Sequence, residues 1–161
     1  MKNCFVSFAV CIAAALLSIN ASAQSNTESS IKKQLIGEWR NTFVRVVMHT
    51  VNNSDSTVTM QADSTNWEQV LKIKPIRTRF KPGGTYFSEY RNLKDSIVRQ
   101  PAGTWSINGD SLTMVQQTPD KSVLKVRVSI VNNRATFSGL IDFDGDGKID
   151  DEYYGMQKKH S

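Results

Sequence analysis

Gly103-Thr104-Trp105-Ser106-Ile107-Asn108-Gly109-Asp110-Ser111-Leu112-Thr113-Met114 is the stretch that decides the fold. Apolar and polar residues alternate on both sides of Asn108-Gly109, which is the period of a half-buried strand and not of a helix. An Asn-Gly pair between two such runs favours a tight type I′ turn, because both central residues must take positive φ. The stretch is expected to be a β-hairpin, with strands over residues 104–107 and 111–116.

The same period runs outward in both directions. Downstream, Leu124, Val126, Val128 and Ile130 alternate with Lys125, Arg127 and Ser129. Asn132-Asn133 turns the chain, and Phe137, Gly139, Ile141 and Phe143 share a face of the next strand. A last strand is expected over 152–158. Upstream, 39–48 is rich in β-branched and aromatic residues, 58–60 forms a short strand, and 67–73 is a further apolar segment. Residues 76–80 alternate cleanly, Lys81-Pro82-Gly83-Gly84 is a turn, and 85–90 is another strand. Ser29 or Ser30 can cap a short helix over 31–36 that ends at Gly37. The sum is eight to ten antiparallel strands joined by short turns, with no second helix of consequence. The fold class is all-β, a meander closing into a barrel or packing as a sandwich.

The chain opens with Lys2, an apolar run over 5–17 and Ala21-Ser22-Ala23, the three-part pattern of a secretory signal. Residues 1–23 are expected to be removed near Ala23, with an uncleaved N-terminal anchor as the rival reading. The run is shorter than the roughly 20 residues of a spanning helix, so no membrane span is expected in the mature form. Residues 24–30 form a polar leader, and 31–161 one domain. Both cysteines, Cys4 and Cys11, lie in the signal, so the mature chain has no disulfide, thiolate nucleophile or Cys-ligated metal. The net charge of +5 favours solubility, and the dense basic runs that would point to nucleic acid are missing. The densest basic stretch is Lys72, Lys74, Arg77, Arg79 and Lys81.

The motif most specific to a chemistry is Asp142-Phe143-Asp144-Gly145-Asp146-Gly147-Lys148-Ile149-Asp150. Closely spaced carboxylates repel one another unless a cation compensates. Calcium takes six to eight oxygens, and a loop of this spacing can wrap it. The expected donors are side chains of Asp142, Asp144, Asp146 and Asp150 and the backbone carbonyl of Lys148, with Asp151 and Glu152 as outer contributors. The alternative is a solvated acidic turn. The loop resembles those of EF-hands and of calcium-binding β-hairpins. Tyr153 stands where an EF-hand closes on Glu, and the flanks read as strands, so the resemblance implies the hairpin version and a structural ion.

His49 and His160 are the only histidines and offer no zinc spacing. Glu68, Glu89 and Asp95 give no reason to be paired as glycosidase acids. No nucleophile elbow or phosphate-cradling loop is present. The expectation is a protein that is not an enzyme. Trp39 and Trp105 read as core plugs. Arg77 and Arg79 share a face that meets either solvent or a cavity suited to an anion.

Leu35-Ile36-Gly37-Glu38-Trp39 resembles the opening of lipocalins, and Gly103 to Met114 resembles a hairpin of secreted bacterial lipocalin-like proteins. The resemblance spans 31–159. It implies an up-and-down barrel with Trp39 across one end, a basic residue over that Trp (Lys158 or Lys159), and a cavity for a small apolar or amphipathic molecule. Phe87, Leu124, Val126, Val128 and Phe137 are the candidate cavity side chains. The expected function is that of an exported, monomeric binding protein with a calcium-stapled C-terminal hairpin. The alternative is an interaction module for protein or glycan with a filled barrel.

Overall fold

Alternation does carry through the described residues, and among them it yields ten strands. The structure, a computed structural model, describes residues 28, 30–49, 54 and 56–160. The expected export signal lies outside these, as does most of the leader. Helix α1 covers 30–35. The strands are β1 (Gly37–Met48), β2 (Val58–Asp63), β3 (Arg77–Phe80), β4 (Thr85–Arg91), β5 (Ile97–Arg99), β6 (Ala102–Asn108), β7 (Ser111–Thr118), β8 (Ser122–Val131), β9 (Arg134–Ile141) and β10 (Asp151–His160).

Eight of these close a barrel in the order β1-β3-β4-β6-β7-β8-β9-β10, and β10 returns to pair with β1. All pairings are antiparallel. The closing ladder is long, from Glu38↔His160 to Val47↔Glu152. On its other side β1 is shared. Gly37–Arg40 pairs with β3, while Phe43–Met48 pairs with β2. A bulge between Asn41 and Phe43 on the β10 side falls where the partner changes. β5 lengthens the β4–β6 hairpin beyond the ring.

The apolar segment 67–73 is not extended. It forms the short helix α2 (Trp67–Leu71), ended by Lys72 at φ 56°. This one-turn helix delivers Trp67 into a small core with Val44, Val46 and Ala62. The larger core fills the opposite end around Trp39, Phe80, Trp105, Leu112 and Phe137. Tyr153 packs against both.

The turns depart from expectation in one instructive way. Asn108 pairs with Ser111, so the two loop residues of the β6–β7 hairpin are Gly109 and Asp110. Only Gly109 takes positive φ, at 61°, which is the type II′ pattern with Gly first. The type I′ pattern occurs at Asn132-Asn133, with φ 50° and 59°, between the paired ends Val131 and Arg134.

Candidate functional site

The α1 end of the barrel is sealed. Trp39 is fully buried and donates from Nε1 to the carbonyl of Leu35 at 2.6 Å. Lys159 faces inward here. Its ammonium lies 5.4 Å from the Trp39 ring centroid and donates to the Gln34 carbonyl at 2.5 Å. This is the cation–π arrangement that the lipocalin resemblance implied, with Lys159 and not Lys158 supplying the charge. Gly37 makes it possible. Its φ is 128°, and a Cβ there would meet Lys159 Cε at 2.8 Å. Trp105 plugs the adjacent turn, donating from Nε1 to the carbonyls of Lys81 and Thr85. Both tryptophans are core plugs.

Of the five expected cavity side chains, Val126, Val128 and Phe137 are buried in this sealed core, and Leu124 packs against it. Phe87 points outward, between the inward Tyr86 and Ser88, with the Lys81 ammonium over its ring at 5.4 Å. It cannot line the interior, because on β4 the inward positions are the even-numbered ones. Likewise Thr78 and Phe80 face in, so Arg77 and Arg79 face solvent. Arg79 is held by Glu38 at 2.6 Å.

Beyond the sealed core the interior turns polar. Asn41, Thr78 and Ser88 are buried. The hydroxyls of Thr78 and Ser88 share a hydrogen bond of 2.8 Å, and Gln157 donates to Asn41 at 3.1 Å. Among the described residues, two of the three buried side-chain polar atoms that lack a hydrogen bond lie here, Gln157 Oε1 and Trp67 Nε1, the third being Asp150 Oδ1. Tyr90 and Tyr153 project into the same region. Burial raises both phenols, that of Tyr153 to about 12, with Tyr90 adding to the effect. Neither Trp67 nor these tyrosines stood out in the sequence. Trp67 lay in a run readable as strand, and Tyr90 and Tyr153 point inward only by register.

The second site is the acidic loop between β9 and β10, at the barrel end opposite α1. It wraps around its own carboxylates. Asp142 accepts from the N–H groups of Gly145 at 2.8 Å and Gly147 at 3.1 Å. Asp144 accepts from Asp146 N–H at 3.1 Å, and Asp146 from Lys148 N–H at 2.8 Å. Asp151 is the anchor. It is fully buried and accepts from Phe143 at 2.6 Å, Asp144 at 3.3 Å and His49 at 2.9 Å.

One carboxylate oxygen from each of Asp142, Asp144 and Asp151 lies within 4.8 Å of the others. Oxygens so spaced can converge on one centre with a small adjustment toward the roughly 2.3–2.6 Å of calcium–oxygen bonds. The trio can hold a metal ion. Of the expected donors, Asp142 and Asp144 join it, whereas Asp146, Lys148 and Asp150 fall outside. Asp146 instead pairs with the Lys148 ammonium at 3.3 Å. Asp151, expected as an outer contributor, is the third member. Its signal was its place as the first residue of β10, where the side chain turns inward.

Among the described residues no helix is long and apolar enough to cross a membrane. No family model matches the chain, and no curated protein does. A solved structure titled "Crystal Structure of Rv2717c from M. tuberculosis" is similar at 10% identity with a TM-score of 0.40, covering 80% of this chain and 94% of that one.

Proposed function

We propose that the protein is an exported, lipocalin-like binding protein, not an enzyme, that holds a small amphipathic molecule in its polar-lined end and carries a calcium-stapled C-terminal hairpin. The observation that carries the binding reading is Trp67 Nε1, a donor only 2% exposed with no acceptor. Burying an unpaired polar group costs about 1–3 kcal/mol, so a ligand acceptor placed there recovers affinity. Gln157 Oε1, also unpaired, adds an acceptor, while Val44, Val46 and Ala62 give the ligand's apolar part its surroundings. The α1 end is sealed, so this reading places the guest at the opposite end, where it would have to displace part of the smaller core.

Native mass spectrometry of protein purified from its own host tests this, with a bound small molecule as the expected result. Trp67→Phe should release that molecule and melt no lower than the parent stripped of its guest, since it removes the orphan donor. Absence of any co-purifying mass, together with a destabilised Trp67→Phe, would make Trp67 a plain core residue and overturn the reading.

Calcium is the ion that the donor chemistry favours, because all three converging groups are carboxylates and no nitrogen or sulfur donor joins them. The melting temperature should rise with calcium at millimolar concentration and fall with chelator, as mass action requires. Asp144→Ala should abolish the rise. Melting that ignores calcium would leave the loop as an acidic turn held by its own N–H groups.

A further inference from the structure

The outer wall of the barrel carries a row of cations that the sequence does not display. Arg134 on β9 sits opposite Lys158 on β10, Lys158 opposite Arg40 on β1, and Arg40 opposite Arg77 on β3. All four are exposed, and each is followed by a buried or half-buried inward residue. Among the described residues none of them has an ion pair within 4.0 Å, although Arg77 also acts at longer range on Asp95. The row ends at Glu89 on β4, which is engaged by Arg91 at 3.0 Å.

Like charges directly opposite on neighbouring strands are destabilising. Three such pairs in succession mark a place where an external anion supplies what the fold does not. The geometry narrows that anion. Neighbouring strands are about 4.8 Å apart, so the row is a line of charges with that repeat, roughly 14 Å long. It crosses three of the eight strand-to-strand steps of a closed ring, so it bends around more than a third of the circumference. A flat lipid surface touches such a curve at one or two strands, whereas a flexible chain follows it. Phe87 in the adjoining groove is a single aromatic, whereas single-stranded nucleic acid stacks successive bases on successive aromatic platforms. At the β3 end the row opens into that groove, of about 260 Å³ and lined by Glu38, Arg77, Arg79, Phe87, Glu89 and Arg91. A concavity with both charge signs offers donors and acceptors to a sugar ring.

We infer that the Arg134–Lys158–Arg40–Arg77 row is a docking surface for an acidic polysaccharide, a flexible glycan bearing carboxylate, sulfate or phosphate groups. The surface is on the outside of the barrel and is independent of any guest within it.

The test uses Arg134→Glu/Arg40→Glu, which makes every neighbouring pair in the row opposite in sign. Its control is Lys121→Glu/Lys125→Glu, the same charge change at exposed positions away from the row. The probe is a fluorescent heparin dodecasaccharide, followed by anisotropy at about 50 mM salt and upward. The parent and the control should bind saturably. For four contacts the slope of log K against log salt should be about −3. The row variant should bind about tenfold more weakly or worse, yet melt roughly 2–4 °C higher than the parent. That opposite response of binding and stability cannot come from misfolding. No saturable binding by the parent, or an equal loss in both double variants, overturns the proposal. So does preferential binding of oligo-deoxythymidine or of phosphatidylglycerol vesicles, which would assign the row to nucleic acid or to membrane.

Discussion

At the scale of single residues, Asp151 and Tyr153 tie the site to the fold from adjacent inward positions on β10. The Asp151 carboxylate accepts three backbone N–H groups, one from the end of β1 and two from the acidic loop. Asp151→Ala strands these donors beside a void, so it should cost about 3 kcal/mol in urea denaturation. Asp110→Ala, which removes an exposed partner of Arg127 at 3.7 Å, should stay within about 0.5 kcal/mol. Tyr153 makes a pH prediction. Burial lifts its phenol from 10.0 to about 12, so the folded state holds this proton more tightly than the unfolded chain does. Its contribution is complete below the unfolded value and is lost as pH climbs through the folded one. Stability should therefore fall between pH 10 and about 12, and Tyr153→Phe should flatten that part of the curve in chemical denaturation across alkaline pH. A parent curve already flat there would place the phenol in solvent.

At the scale of elements, the turns separate what composition can reveal from what it cannot. Both hairpin turns were visible as Asn-Gly and Asn-Asn, and both are turns. Their types were not visible, because type follows from which residues pair at the strand ends. The β6 alternation continues through Asn108, which moves the loop one residue along and leaves Gly109 alone at positive φ. Thus Gly109→Ala should cost about 1 kcal/mol, from φ strain at one position. Asn133→Gly should be neutral or stabilising, while Asn133→Val should lose about 1–2 kcal/mol, since a β-branched residue resists φ 59°. Thermal melts of the three variants check the assignment. Helix α2 was hidden for a different reason. One turn is too short to show a 3.6 period, and Asn66 makes no side-chain cap to it, its amide oxygen instead accepting from Asp63 N–H at 2.8 Å. The acidic loop was half legible. Spacing found Asp142 and Asp144, but the third carboxylate comes from the returning strand, whose inward face is set by its pairing with β9.

At the scale of the molecule, closure is the organising event, and it is what a linear reading sees least. The barrel was legible from alternation. The seam was not, since β1 and β10 stand at opposite ends of the described chain. The same holds for charge. The densest basic stretch in the sequence disperses, with Lys74 going to Asp95 and Arg79 to Glu38. The like-charged row is assembled from four strands, with its members spread from residue 40 to residue 158. The seam also unites the features discussed here. It carries Lys159 over Trp39 at the sealed end, two of the four row cations one register step further along on its outer face, and Asp151 bonded to His49 N–H at the other end. Removing β10 would expose the edges of both β1 and β9, and neither has another partner to cover its whole length. A chain ending at residue 150 should therefore show no cooperative thermal transition. A synthetic peptide of residues 151–160 should restore one by adding the missing strand, with a midpoint that rises with peptide concentration. Calcium should raise it further, because Asp151 arrives on the peptide while Asp142 and Asp144 wait on the chain. If the shortened chain melts cooperatively without the peptide, the ring is stable when open and the seam is an accessory to the fold.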